Sequence, residues 1–101
     1  MPPPAADASS EFRIFETEEF QKRLKKLSRG EAGFIRGKLE AYVYPRLRAE
    51  PFLGPNIRKL KGYTPDTWRY RIGRFRVFYT VSPEERVVAL FSLDDRKDAY
   101  R

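Results

Sequence analysis

Apolar positions along this chain follow two spacings. Phe20, Leu24 and Leu27 recur at i, i+4 and i+7, the stripe of an amphipathic helix. Thr17 offers a cap just before them, and Glu18 and Glu19 stand in the first turn, where the helix dipole favours negative charge. Gly30 is expected to stop this helix. A second is expected from about Glu31, with Phe34, Ile35, Leu39, Tyr42 and Val43 on its buried side. Tyr44-Pro45 should kink or end it, and the pattern resumes with Leu47 before Pro51. Two helices joined by a short turn predict an antiparallel helical hairpin.

Elsewhere the spacing is two, the period of a half-buried strand. "FRIF" at residues 12–15 predicts a short strand, and three more are predicted at about 67–72, 75–81 and 86–93. Residues 51–66, with three prolines and two glycines, are expected to form a loop. Gly73-Arg74 suits a two-residue turn with glycine first, and "SPEE" suits a second turn with Pro83 in a type I geometry. The end, "DDRKDAYR", predicts a short tail or a single helical turn. The proline-rich "MPPPAADASS" at residues 1–10 has no bulky apolar side chain and predicts a disordered leader, leaving one domain over 11–101. The order β-α-α-β-β-β implies an α+β fold, with the N-terminal strand and helical hairpin packed on one face of a curved antiparallel sheet. The other face is left for water or a ligand.

The hairpin at 68–79, "WRYRIGRFRVFY", fixes what that free face carries. A Gly73-Arg74 turn sets Ile72 opposite Phe75, Arg71 opposite Arg76, Tyr70 opposite Val77, Arg69 opposite Phe78 and Trp68 opposite Tyr79. Trp68, Tyr70, Ile72, Val77 and Tyr79 then face the core, and Arg69, Arg71, Arg76 and Phe78 the open side. Two arginines directly opposite each other repel by about 0.2–1 kcal/mol. Such a row can merely solubilise a sheet or protect an edge. It also has the makings of a nucleic-acid groove, because guanidinium forks suit phosphate and aromatic faces stack on bases.

Composition sharpens that choice. The 101 residues carry 21 Lys and Arg against 14 Asp and Glu, a formal charge of +7, which favours a polyanionic partner. With no cysteine and no histidine, disulfides, thiolate metal sites and the usual neutral-pH acid–base group are excluded; a metal site would have to be carboxylate-only, for a hard ion such as magnesium, and no cofactor or metal is expected. No apolar run approaches a membrane span, and a soluble cytoplasmic protein is expected. The basic run Lys22, Arg23, Lys25, Lys26 and Arg29 suits either a solvated helix face or contact with phosphates.

Four segments, "IRKLKG" (57–62), "WRYRIGRFRVFY" (68–79), "VVALFSL" (87–93) and "RKDAY" (96–100), resemble in order and spacing the RelE branch of the RelE/ParE toxin superfamily. The resemblance implies a type II toxin–antitoxin toxin, an endoribonuclease that cuts mRNA in the ribosomal A site by attack of the substrate's own 2′-hydroxyl. It implies that Arg69, Arg71, Arg76, Arg96 and Tyr100 are catalytic, that Lys59 and Lys61 contact RNA, with Phe78 joining them as the aromatic on the open face, and that the partners are a cognate antitoxin, mRNA and the ribosome. Tyr100, Lys59, Lys61, Asp94 and Asp95 are the candidates for moving the proton. Asp94-Asp95 stand where many relatives carry glycine followed by histidine or a basic residue; the alternative for the pair is to cap the terminal turn or hold Arg96. Two other functions compete with the nuclease: a ParE-like, non-enzymatic toxin of DNA gyrase, and a non-catalytic RNA-binding domain of the same fold.

Overall fold

The computed structural model describes residues 11–95; the expected leader, the terminal turn, Arg96 and Tyr100 lie outside the described residues. Strand β1 (Arg13–Glu16) is followed by helices α1 (Glu18–Lys25) and α2 (Arg29–Lys38). A π-helical turn (Leu39–Val43) leads into α3 (Tyr44–Ala49), and strands β2 (Ile57–Lys59), β3 (Trp68–Ile72), β4 (Phe75–Ser82) and β5 (Val87–Asp95) complete the described residues. The five strands form one sheet in the order β1-β5-β4-β3-β2. The α+β arrangement is as expected, with two refinements. β1 pairs with β5 in parallel, so the sheet is mixed, and the stretch expected to be all loop contributes the edge strand β2, antiparallel to β3.

Thr17 caps α1 by accepting from the Phe20 amide at 3.2 Å, and its hydroxyl donates to the Leu90 carbonyl at 2.9 Å, tying the helix start to β5. Gly30 does not end that helix. Ser28 caps α2 instead, accepting from the Glu31 amide at 3.1 Å, so Gly30 falls within the first turn of α2. Ile35, Leu39, Val43 and Leu47 are all essentially fully buried. Steps of four residues drift about 40° each in a straight α-helix, at about 100° per residue. The π-helical turn takes up that drift and lets the backbone pass Pro45, whose ring nitrogen cannot donate. The same phase turns Phe34 and Tyr42 outward, contrary to expectation, where Lys38 lies 5.7 and 5.0 Å from their ring centres.

Core aromatics pin the sheet to the helices. Trp68 stacks on Tyr79 across the hairpin at 6.3 Å, and Phe52 meets Trp68 edge-on at 5.2 Å. The buried Tyr79 hydroxyl donates to the Pro51 carbonyl at 2.6 Å, and burial raises its pKa. Under the helices, Glu16 accepts from Arg36 at 2.5 and 3.2 Å and from the Tyr44 hydroxyl. Burial works to raise the Glu16 pKa, but the bonds from Arg36 and Tyr44 and the Arg36 charge outweigh it and hold the carboxylate below its ordinary range.

A carboxylate with a depressed folded pKa stabilises above its unfolded value, and that contribution is lost as pH falls through the folded one. Glu16→Gln is therefore expected to lose about 1–3 kcal/mol at pH 7. The gap from wild type should narrow as pH drops below about 4. Urea unfolding midpoints across pH check this, and a gap independent of pH would contradict it.

Candidate nucleic-acid interface

The hairpin has the expected register, residue for residue: Arg71 opposes Arg76 and Arg69 opposes Phe78. Gly73 takes a φ of 59°, which its lack of a Cβ makes easy, and the two-residue turn closes without a bulge. Alternation is visible in burial, since Trp68, Tyr70 and Ile72 are buried while Arg69 is half-buried and Arg71 exposed. The helices lie against the buried face, through contacts such as α1 on β5 and α3 on β1. The arginines therefore occupy the uncovered face.

Register extends this face beyond the hairpin. β2 sets Arg58 opposite Arg69, so two rows of facing guanidinium groups lie side by side, Arg58–Arg69 and Arg71–Arg76. Arg58 was not among the expected site residues, because three strand residues within a proline- and glycine-rich stretch leave no readable alternation. On the far side, β5 carries a bulge at Phe91, between the Phe78–Ser92 and Tyr79–Leu90 pairs. The extra residue restores inward parity for Val88 and Leu90 while leaving Ser92 and Asp94 on the open face. Asp94 thereby stands directly opposite Arg76, and the row reads Arg71, Arg76, Asp94 across three strands.

Arg76 is the least exposed member of this row, at 29% of its side chain. Its guanidinium lies 5.9 Å from the Phe78 ring centre. Its Nη2 is 3.7 Å from Asp94 Oδ2, too long for a hydrogen bond, and its buried Nε has no hydrogen-bond partner among the described residues. Arg76 is thus a fixed cation with unused donors. Arg69 is tied down, donating from Nη1 to the Asn56 carbonyl at 3.2 Å.

The two lysines do not join this group. Lys59 opposes Trp68, so it belongs to the helix-side face at the sheet edge, where it pairs with Asp66 at 3.3 Å. Lys61 is exposed in the turn after β2. Asp95 also points away: it opposes Phe75 and accepts from Arg74 Nε at 2.9 Å, and Arg74 bonds Glu31 as well. Both aspartates lie within β5, with Asp94 beside Arg76 and Asp95 beside Arg74. No group of three or more potential metal ligands occurs among the described residues, and no helix there is long and apolar enough to cross a membrane.

A sequence model described as "ParE toxin of type II toxin-antitoxin system, parDE" matches residues 14–100. The chain belongs to this toxin family. Solved structures of RelE toxins share the fold of this family member. The toxin–antitoxin complex RelBE2 from Mycobacterium tuberculosis superposes with a TM-score of 0.67 at 20% identity, over 85% of this chain and 99% of that one. The archaeal RelE–RelB complex from Pyrococcus horikoshii OT3 gives 0.55 at 28% identity, over 85% and 96%. An E. coli RelE mutant in complex with an antitoxin RelBc peptide gives 0.54 at 26% identity, over 90% of each chain. No curated protein sequence is a significant match. The protein is a RelE-like toxin of the RelE/ParE superfamily, as the four sequence segments implied.

Facing like charges cost stability wherever the fold does not need them. Arg71→Ala is expected to stabilise the toxin by about 0.2–1 kcal/mol at low salt. The gain should shrink in high salt, as screening relieves the wild-type repulsion. Thermal unfolding at two salt concentrations checks this; a destabilised variant would show that the pair supports the fold.

Proposed function

We infer that this toxin is an endoribonuclease that cleaves mRNA in the ribosomal A site, in the cytoplasm, by in-line attack of the 2′-hydroxyl on the adjacent phosphorus. The observation that carries it is the Arg71–Arg76 pair on the uncovered sheet face, with the Arg58–Arg69 pair in the next row. The pentacoordinate phosphorane carries more negative charge than the ground-state phosphate. Donors fixed in advance where that charge develops supply the largest single catalytic effect in most enzymes. Arg71 and Arg76 clamp the two non-bridging oxygens. The repulsion between them then serves a purpose, because it is relieved most by the most anionic species along the reaction path.

Arg69 and Arg58 hold the neighbouring phosphate and Phe78 stacks on a base, while Lys59 and Lys61 grip RNA away from the chemistry. Arg96 and Tyr100 complete the constellation that the RelE resemblance implies. A cognate antitoxin neutralises the toxin by covering the arginine face; the RelE–RelB complexes among the structural relatives support such a partner. A second reading, gyrase inhibition without catalysis, is favoured by one observation, the ParE family match over residues 14–100.

A translation extract programmed with a defined message, followed by primer extension, separates the two. Wild type is expected to make codon-positioned cuts, and Arg76→Ala to slow them by about 10²–10³-fold. An intact message together with blocked gyrase supercoiling would select the second reading.

A further inference from the structure

The arginine rows stabilise charge but cannot accept a proton, since a guanidinium does not deprotonate in proteins. With histidine absent from the sequence, the acceptor must be another group. We propose that Asp94 is the catalytic base of the cleavage step, taking the 2′-hydroxyl proton while Arg71 and Arg76 hold the phosphate. This rests on the nuclease reading above.

Three observations carry the assignment. Asp94 directly opposes Arg76 on the open face, one interstrand step of about 4.8 Å away and in the same row as Arg71. The ribose of a phosphate held by Arg71 and Arg76 is therefore within its reach. Asp94 is also only loosely held: its ion pair with Arg76 spans 3.7 Å, and 43% of its side chain is exposed. Asp95, by contrast, is 13% exposed and bonded to Arg74 on the other face. Finally, among the described strand residues on the open face, Asp94 is the one carboxylate. Lys59 is removed to the opposite face and paired with Asp66.

A cleft of about 410 Å³ opens beside Asp94 where β1 ends and leaves the outer edge of β5 unpaired. Arg23, paired with Glu19 at 2.8 Å, and Lys26 line it together with Leu27 and Asp95. The bulge at Phe91 is what puts Asp94 on the open face; without it, Asp94 would share the core parity of Leu90.

The step balances as follows. The Asp94 carboxylate takes the 2′-hydroxyl proton as the 2′-oxygen bonds to phosphorus. The bond from phosphorus to the 5′-oxygen breaks, and its electron pair leaves on that oxygen, which takes a proton from water. Asp94 returns its proton to the hydroxide so formed. The products are a 2′,3′-cyclic phosphate and a 5′-hydroxyl.

The test uses the full chain and ribosomes programmed with a defined message under single turnover. Affinity is measured separately, on the same message carrying a 2′-deoxynucleotide at the cut position. Asp94→Asn keeps the side chain's size and removes its charge. It is expected to slow cleavage by about 10²–10⁴-fold, to bind the deoxy message as tightly as wild type or tighter, and to leave the thermal unfolding midpoint in place. Asp94→Glu is expected to recover part of the rate. Cleavage by Asp94→Asn at the wild-type rate or faster would overturn the assignment and leave the nuclease reading standing. A parallel loss of affinity for the deoxy message would also overturn it, by assigning Asp94 to holding Arg76. Wild-type toxin that leaves the message whole would remove the nuclease reading, and the base with it.

Discussion

The two-residue turn at Gly73-Arg74 governs the rest of the structure. A strand shows alternate residues to alternate faces, so the length of that turn decides which side chains of β3 and β4 meet and on which side. Adding or removing one residue there would send Trp68, Tyr70 and Ile72 to the wrong face relative to Val77 and Tyr79. The six buried residues set by this register, Phe75 among them, anchor the core, and the arginines follow from the same parity without further choice. Core and arginine face are thus one decision. Burial of Tyr79 at 0% exposure and its stacking with Trp68 hold the register, so the repulsion between Arg71 and Arg76 cannot relax by strand slippage. A site made of like charges needs such a scaffold.

Much of this was legible in the sequence because the alternation is strong and the turn residue diagnostic. The hairpin pairs, the Thr17 cap and the buried positions Phe20, Leu24, Ile35, Leu39 and Val43 all follow from local rules. The misreadings each have a physical cause. Phe34 and Tyr42 fit a straight helix with a buried stripe, but the π-helical turn rotates the burial pattern onto Ile35, Leu39, Val43 and Leu47. Glycine disfavours helix and so reads as a stop at Gly30, whereas the cap at Ser28, which starts the next helix earlier, decides the boundary. The parallel pairing of β1 with β5 is a contact between distant segments, which neither segment encodes alone.

The candidate site divides in the same way. Arg69, Arg71, Arg76 and Phe78 come together because hairpin parity places them, and that parity is readable. Arg58 and Asp94 join them for reasons that are not: a three-residue edge strand in one case, a bulge in the other. Lys59 shows the converse, since nearness in sequence to Arg58 puts it on the opposite face. The open face is thereby more basic than the sequence suggested, and it also holds a carboxylate positioned by the fold. In the proposed mechanism charge stabilisation and proton transfer fall to different strands, with β3 and β4 supplying the first and β5 the second.

The claim that fixed guanidinium groups promote attack by the substrate's own 2′-hydroxyl is tested most directly by the ends of the cut RNA. Mass spectrometry of the fragments is expected to find a 2′,3′-cyclic phosphate on the upstream piece and a 5′-hydroxyl on the downstream one. A 3′-hydroxyl with a 5′-phosphate would mean that water, not the ribose, attacks the phosphorus, and would contradict the account.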